Sequence, residues 1–250
     1  MDKSPDEVIY GRQPVLEALR ASRPLRKILV SRGSRPSGAV RAILDHARQQ
    51  NIAVQFVDQR RLDELVRGHH QGVVAMASAK PLASIEQILD AARGAGKLPL
   101  VLVLDGIEDP ANLGAILRTA DAAGVHGVVI PKHRAVGLTG TVARTSAGAV
   151  EHVPVAQVTN LARTLEELKA AGLWVVGADP KAPQNLYEVD LTRALAVVMG
   201  SEGKGLGRLV REHCDLLVRL PMQGSISSLN VAVATGVVLF EIVRQREARS

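Results

Sequence analysis

The chain has 250 residues, a formal net charge of +6 and one cysteine, Cys214. A single cysteine excludes an internal disulfide framework and a cysteine-rich zinc site, and the apolar runs are too short to cross a bilayer. The opening residues contain no apolar segment typical of a signal peptide, so we expect a cytoplasmic protein.

The positive charge is concentrated at one end of the chain. Residues 1–80 contain 14 lysines and arginines against 8 acidic residues, whereas residues 98–250 contain 15 of each. This asymmetry favours contact between the N-terminal part and a polyanion such as RNA, although a solvated basic surface has the same composition.

Residues 1–79 show the alternation of a small α/β domain. The predicted helices and strands are, in chain order, a helix at Arg12–Ala21, a strand at Lys27–Gly33, a helix at Ser37–Gln50, a strand at Ala53–Asp58, a short helix near Arg60–Arg67 and a strand at Gly72–Ala79. Residues 80–97 are polar and small, with prolines and glycines, and are predicted to be a linker that contains a short helix.

Residues 98–250 are predicted to form a second domain. The expected strands are Val101–Asp105, Gly127–Pro131, His152–Ala156, Leu173–Asp179, Ala194–Gly200 and Leu216–Leu220, and the main helices are Leu113–Ala123, Leu161–Ala171 and Ser227–Arg246. Near-continuous apolar strands that alternate with helices predict a parallel sheet covered on both faces.

The first candidate motif, DGIEDPANLGAILRTADAAG, follows the first strand of this domain. Leu113, Ile116 and Leu117 keep the spacing of a core-facing stripe, and Arg118 lies about 140° from Leu113 around the helix. Arg118 therefore points away from the core, where it would suit a phosphate or an oxyanion. Asn112 is equally suited to capping the helix or to binding.

The second motif, VVMGSEGKGLG, is a strand that runs into a glycine-rich turn, and Glu202 is either a functional or a solvent-exposed turn residue. Its spacing differs from that of a Walker A loop, and the dinucleotide fingerprint is missing after the first strand, which argues against a nicotinamide oxidoreductase. In the third motif, LPMQGSISSLNVAVATGVVLF, Ser227 or Ser228 alone would be a helix cap.

In this order, the three motifs resemble those of SpoU-type RNA 2′-O-ribose methyltransferases, the TrmH-like branch of the SPOUT superfamily. Upstream, VIYGRQPVLEAL and HHQGVVA resemble the N-terminal domain of the branch that methylates a 23S rRNA guanosine. Ala232 departs from the pattern, since many relatives have serine there.

The resemblance implies a C-terminal domain with a deep trefoil knot, a ribosomal-protein-like N-terminal RNA-binding domain, a homodimer and S-adenosylmethionine as methyl donor. The catalytic set that it implies is Asn112, Arg118, Glu202, Ser228 and Asn230. The cofactor-binding set that it implies is Met199, Gly200, Ser201, Gly203, Leu220, Met222 and Leu229.

Arginine has a pKa of roughly 12.5 to 13.8, so we interpret Arg118 as a cationic clamp on phosphate and alkoxide in preference to a general base. Only five aromatic residues occur in the chain, which argues against base stacking as the main mode of RNA binding. The RNA-binding candidates are Arg12, Arg32, Arg35, His69, His70 and Gln71, and no metal site is expected. His69 and His70 would equally fit a polar turn.

Two alternatives stay open: the same chemistry on a tRNA ribose, and a non-catalytic RNA-binding protein with this fold.

Overall fold

The computed structural model describes residues 7–35, 38–66, 68–225 and 228–249. Ser37, Arg67 and Ser227, at which the sequence predicts element ends or a cap, lie outside these ranges. The chain divides into two compact units, Met1–Pro81 with Gly137–His152, and Leu82–Val136 with Val153–Ser250.

The elements of the first stretch of chain are β1 (Glu7–Tyr10), α1 (Arg12–Arg20), β2 (Leu25–Ser31), α2 (Ala39–Gln49), β3 (Ala53–Val57), α3 (Gln59–Leu65) and β4 (Val73–Ala77). The four strands form one sheet in the order β1-β4-β2-β3, in which β4 is antiparallel to β1 and β2, and β3 is parallel to β2. The predicted small α/β arrangement is therefore present in this unit.

The remaining elements are α4 (Ile85–Gly94), β5 (Leu100–Asp105), α5 (Pro110–Ala122), β6 (Gly127–Pro131), α6 (Gly140–Thr145), β7 (Val155–Val158), α7 (Leu161–Ala170), β8 (Trp174–Ala178), β9 (Gln184–Asn185), β10 (Leu195–Gly200), α8 (Arg208–Glu212), β11 (Leu216–Arg219) and α9 (Val231–Glu247), with 3-10 turns at Ala149–Glu151 and Leu186–Glu188. The second unit has a parallel seven-stranded sheet in the order β7-β6-β5-β10-β8-β11-β9.

Both faces of this sheet are covered, as its apolar strands require. On one face, Val101 and Val103 of β5 share a core cluster with Ile88 of α4 and Leu165 of α7. Because side chains alternate along a strand, Leu102 points to the opposite face. Leu102 is fully buried as well, and α5 and α9, which pack against each other, contribute no residue to the first cluster.

Part of the predicted linker belongs to the second unit. Helix α4 begins with a capping box in which Ser84 and Gln87 exchange hydrogen bonds, and Ile88 and Ala92 are buried. A Cβ on Gly127 would lie 2.5 Å from the side chain of Ile88, so glycine at the start of β6 makes room for the helix. A short segment rich in small residues therefore packs as a core helix.

The first unit contains a segment from far along the chain, Gly137–His152, which the sequence places in the C-terminal domain. The guanidinium of Arg23 contacts Glu151 at 2.5 Å and Glu7 at 2.6 Å, and also donates to the carbonyl of Ser78. The side chains of Arg23 and Glu151 are only 5% and 3% exposed. A buried ion-pair network thus holds this segment within the unit, because loss of one partner would leave a buried charge uncompensated.

Candidate active site

The candidate site lies at the carboxyl ends of β5, β6 and β10 in the second unit. The chain leaves β5 towards β6 on one side and leaves β10 towards β11 on the other, so the neighbouring pair β5 and β10 forms a topological switch point. Such points leave a crevice outside the strand ends. A cavity of about 460 Å³ is found there, lined by Asp105, Gly106, Ile107, Glu108, Asp109, Asn112, Pro131, His133, Arg134, Ser201, Glu202, Lys204, Gly205, Gly207 and Val231.

Three of the five predicted catalytic residues meet at this cavity through hydrogen bonds. The Nδ2 of Asn230 donates to Glu202 Oε1 at 2.6 Å and to Asn112 Oδ1 at 2.9 Å. Glu202 Oε1 also accepts from the backbone N–H of Val231 at 3.1 Å. The carboxylate of Glu202 and the amide of Asn112 therefore line the cavity, and the amide of Asn230 is hydrogen-bonded to both.

The structure resolves the alternatives for the helix caps. Asp109 caps α5 by accepting from the N–H of Ala111, with Pro110 at the first helical position, so Asn112 is not the cap. Asn230 caps α9, since its Oδ1 accepts from the N–H groups of Ala232 and Val233. A capping role for Ser228 is therefore wrong, because the helix begins only at Val231.

Arg118 lies on the exposed face of α5, as its angle from Leu113 predicts. It does not line the cavity, and it follows Asn112 by six residues, a rise of about 9 Å along a helix. Within the described ranges, no hydrogen bond or ion pair joins Arg118 to the Asn112–Glu202–Asn230 cluster. Its guanidinium is thus exposed, and the structure does not bring it together with that cluster.

A glycine-rich turn holds Glu202 in place. Ser201 O accepts from Gly205 N at 2.9 Å, and Asp105 Oδ2 accepts from Gly207 N at 2.7 Å, which ties the turn to the end of β5. A Cβ on Gly200 would collide with the backbone of Gly205 and would lie 2.5 Å from Leu206 N. Only glycine fits at Gly200, because backbone atoms cannot rotate aside.

Two family models match the chain, the SpoU rRNA Methylase family over residues 99–240 and RNA 2′-O ribose methyltransferase substrate binding over residues 8–83. The YacO protein of Bacillus subtilis (strain 168), named for the TrmH family of tRNA/rRNA methyltransferases, is 49% identical over 240 residues, which is 96% of each chain.

Among solved structures, the SpoU methyltransferase AviRb from Streptomyces viridochromogenes, in complex with the cofactor AdoMet, has a TM-score of 0.83 at 29% identity, covering 97% of this chain and 91% of its own. The A. aeolicus TrmH/SpoU tRNA modifying enzyme has a TM-score of 0.56 at 30% identity, covering 66% of this chain and 85% of its own.

The chain belongs to the SpoU rRNA methylase family. It is therefore an RNA methyltransferase, and S-adenosylmethionine is the methyl donor of this family.

The residues around the turn are chemically suited to such a donor. Gly203 and Gly205 have φ values of +81° and +65°, and a Cβ at either position would meet nothing within 4 Å, so the backbone there is open to close approach. Met222 and Leu229 are 37% and 40% exposed although they are apolar, which suits contact with an adenine ring. Of the seven predicted cofactor residues, Met199, Gly200, Ser201, Gly203, Leu220, Met222 and Leu229, only Ser201 lines the 460 Å³ cavity.

Sequence reasoning missed six members of the cavity wall that carry charge or a titratable group, namely Asp105, Glu108, Asp109, His133, Arg134 and Lys204. The available signal was position, because Asp105 ends β5 and the basic run Lys132-His133-Arg134 begins at the end of β6. Residues directly after parallel strands gather at one edge of the sheet, which is where open α/β sheets generally bind ligands.

In the first unit, a groove of about 590 Å³ collects five of the six predicted RNA-binding residues. Its lining is Arg12, Ser31, Gly33, Ser34, Arg35, Gln59, Asp63, Gly68, His69, His70, Gln71 and Gly72. Arg32 is not part of it, and its Nε lies 4.0 Å from Asp58 Oδ1.

His70 has a structural position within this groove. It is only 5% exposed; its Nε2 lies 2.9 Å from Asp63 Oδ1 and its Nδ1 accepts from Gly72 N. Both ring nitrogens are occupied, so the imidazole shapes the wall and is not free to contact RNA. The acidic partner that the sequence did not reveal is Asp63, yet no group of three His, Cys, Asp or Glu suited to a metal ion is found in the described ranges.

In the part of the chain that the structure describes, the helices are too short or too polar to span a membrane.

Proposed function

We propose that this methyltransferase transfers the methyl group of S-adenosylmethionine to the 2′-hydroxyl of a ribose in structured RNA, and that its target is a guanosine of 23S rRNA. The observation that carries the proposal is the hydrogen-bonded cluster of Asn112, Glu202 and Asn230 beside a cavity at the switch point. It rests also on the match to a 2′-O ribose methyltransferase substrate-binding model.

The cofactor supplies an electrophilic methyl group on a positively charged sulfur. The protein must hold the ribose hydroxyl in line with that methyl and stabilise the oxygen as its proton passes to water, because a ribose hydroxyl is a weak acid. In this proposal Asn112 and Asn230 orient the ribose together with Ser228, and Glu202 fixes both amides. Arg118 stabilises the forming alkoxide as a cationic clamp.

The proposed donor site comprises Met199, Gly200, Ser201, Gly203, Leu220, Met222 and Leu229. Support comes from the glycine turn, which offers backbone groups at close range, and from the exposed apolar side chains of Met222 and Leu229 on the connection between β11 and α9. The sheet order supports a deep trefoil knot in this domain. After β11 the chain must return past β8 and β10 before α9 can pack on α5.

A homodimer is proposed because α9 is apolar on two faces. Thr235, Val238, Leu239 and Ile242 are buried, yet Val233 and Phe240, one heptad apart on another face, are 53% and 49% exposed. A helix that is apolar on all sides is normally buried, so a second copy of the chain would cover this stripe. Thr119, next to Arg118, lies under α9 beside Gly236, which places Arg118 near the proposed interface.

RNA is proposed to bind the first unit, with Arg12, Arg35, His69 and Gln71 of the groove as the contacts and Arg32 beside it. We propose that this unit is ribosomal-protein-like. The matched substrate-binding model covers residues 8–83, whereas the A. aeolicus tRNA modifying enzyme resembles only 66% of the chain. The additional unit favours rRNA over tRNA as the substrate.

The test is transfer of labelled methyl from S-adenosylmethionine to deproteinised 23S rRNA and to total tRNA, followed by mapping of 2′-O-methylated positions. Label at one 23S guanosine is expected, and the Arg118→Ala variant should bind the donor normally but lose turnover. Label only on tRNA would contradict 23S rRNA as the proposed substrate. RNA binding without methyl transfer would favour the non-catalytic alternative. A near-normal rate in Arg118→Ala would contradict the proposed role of Arg118.

A further inference from the structure

Five non-glycine residues in the described ranges have left-handed backbone conformations: Ser22, Asn51, Gln71, Arg134 and Ala147. Three of them directly follow the C-caps of α1, α2 and α6. Their N–H groups bond back into the last helical turn, for example Ser22 to Leu19 O at 3.0 Å, as helix termini commonly require. The other two, Gln71 and Arg134, terminate no helix. Gln71 lines the groove of the first unit and Arg134 lines the cavity of the second.

Arg134 is held in this unfavourable conformation by its neighbours. Lys132 N donates to Val158 O at 2.8 Å, and Val136 N donates to Ile107 O at 2.9 Å. Both ends of the short segment around Arg134 are thus fixed to adjacent chain. A bulky residue such as arginine keeps a left-handed backbone only where the surrounding structure imposes it. Residues of this kind are concentrated at functional sites.

The charge of Arg134 is uncommitted within the described ranges, where its exposed guanidinium makes no hydrogen bond or ion pair. Three of the four carboxylates that line the same cavity are already engaged. Asp105 accepts from Gly207 N, Asp109 accepts from Ala111 N, and Glu202 accepts from Asn230. The fourth, Glu108, is exposed. Without cations on its wall, a cavity with four carboxylates would repel a phosphate.

We infer that Arg134 binds the phosphodiester next to the target ribose, an inference that rests on the proposed methyl transfer to RNA. In RNA the 2′-hydroxyl is adjacent to the 3′-phosphate, so a cavity that admits the ribose must admit that phosphate. A guanidinium matches phosphate geometry with two parallel hydrogen bonds, which a lysine cannot reproduce. Arg134 is therefore an RNA-binding and positioning residue, distinct from the Asn112–Glu202–Asn230 cluster.

The positive φ of Arg134 limits the substitutions that can be made there without adding backbone strain. Arg134→Gly and Arg134→Asn remove the charge and tolerate positive φ, whereas alanine would add strain. Lys97→Gln is the matched control, because Lys97 is an exposed cation that precedes β5, at the opposite edge of the sheet. For each protein we would measure equilibrium binding of 23S rRNA and total tRNA at several KCl concentrations, binding of S-adenosylmethionine, and the rate of methyl transfer.

In Arg134→Gly and Arg134→Asn, the Kd and KM for the RNA that binds should rise roughly tenfold to a hundredfold, with kcat reduced by less than threefold. The slope of log affinity against log salt should fall by about 0.7 to 0.9, the value for one phosphate contact. Arg134→Lys should recover part of the affinity, and Lys97→Gln should match wild type.

Two results would overturn the inference: wild-type RNA affinity and salt slope in both variants, or weaker binding of S-adenosylmethionine with RNA affinity unchanged. The second result would mean that Arg134 contacts the donor. Because RNA affinity is measured separately from transfer, an absence of transfer in wild type would count against the proposed function alone.

Discussion

Asn230 performs two tasks with the two ends of one amide. Its Oδ1 caps α9, and its Nδ2 donates to Glu202 and Asn112. Sequence reasoning placed Asn230 among the site candidates through family resemblance, but it assigned the cap to a serine. A cap is set by the residue at which the chain leaves extended backbone, and several polar residues of similar propensity precede Val231.

The two tasks of Asn230 can be separated by substitution. Asn230→Ser keeps an oxygen for the cap but loses the amide donor, and Asn230→Ala loses both. We expect both variants to lose about a hundredfold in methyl-transfer rate, since loss of positioning has costs of that order. Asn230→Ala should also unfold with about 1 kcal/mol less stability than Asn230→Ser. Urea unfolding followed by circular dichroism, together with initial rates, measures both effects.

Asn160, which caps α7 by accepting from Arg163 N, provides the matched control. Asn160→Ala should lose similar stability without loss of rate at saturating substrate. A wild-type rate in Asn230→Ser would show that the amide donor is not needed.

The environment of Cys214 could not be predicted from the sequence. Its Sγ donates to Val210 O, and burial raises the pKa of the thiol to about 12 from a usual value near 9. We expect the folded protein to react with Ellman's reagent at pH 8 far more slowly than the urea-unfolded chain, because the thiolate is the reactive form. Equal rates in the folded and unfolded chain would contradict this.

The same pKa shift has a defined sign for stability. The thiol has a higher pKa in the folded state, so the stability that it contributes is fully present below about pH 9 and is lost as the pH rises towards 12. Cys214→Ala lacks this titration, and the difference in unfolding free energy between wild type and variant should change above pH 9 in favour of the variant. A difference independent of pH between 8 and 10 would contradict it.

At the scale of elements, the sequence predicted six of the seven strands of the large sheet, because each is a short apolar run between helices. The strand that it missed, β9, has only two residues and lies at the edge. The predicted strand at His152–Ala156 begins at Val155 in the structure, since His152 and Val153 lead out of a 3-10 turn. Helix α4 was predicted within a linker because its buried face has few large residues.

Gly200, the last residue of β10, has no room for a side chain. Gly200→Ala would place a methyl group against the backbone of Gly205 and Leu206, so the turn that holds Glu202 must open. We expect a loss of about 1 to 3 kcal/mol in stability and at least a hundredfold loss in methyl-transfer rate. Gly94→Ala, at the last residue of α4 with open space around its Cβ position, is the control and should be neutral or slightly stabilising. Normal rates in Gly200→Ala would mean that the turn is not a fixed part of the site.

At the scale of the whole molecule, sequence periodicity could not predict that Gly137–His152 joins the first unit. One contact that joins them, between Arg23 and Glu151, spans 128 positions, and nothing local to either residue specifies it. Charge asymmetry and strand pattern did separate a basic N-terminal part from a parallel-sheet part. Local pattern therefore predicts elements and their class, whereas contacts between residues far apart in the chain determine which elements share a core.

The proposed homodimer is tested by removing the apolar stripe of α9 without adding charge. The double variant Val233→Ser and Phe240→Ser should remain folded, because both side chains are about half exposed in the single chain. It should sediment as a monomer at micromolar concentration and lose methyl transfer, whereas wild type should sediment as a dimer. Leu209→Ser is the control, since Leu209 of α8 is 53% exposed and lies outside the stripe. A monomeric wild type, or a double variant that sediments as a dimer, would overturn the proposed interface.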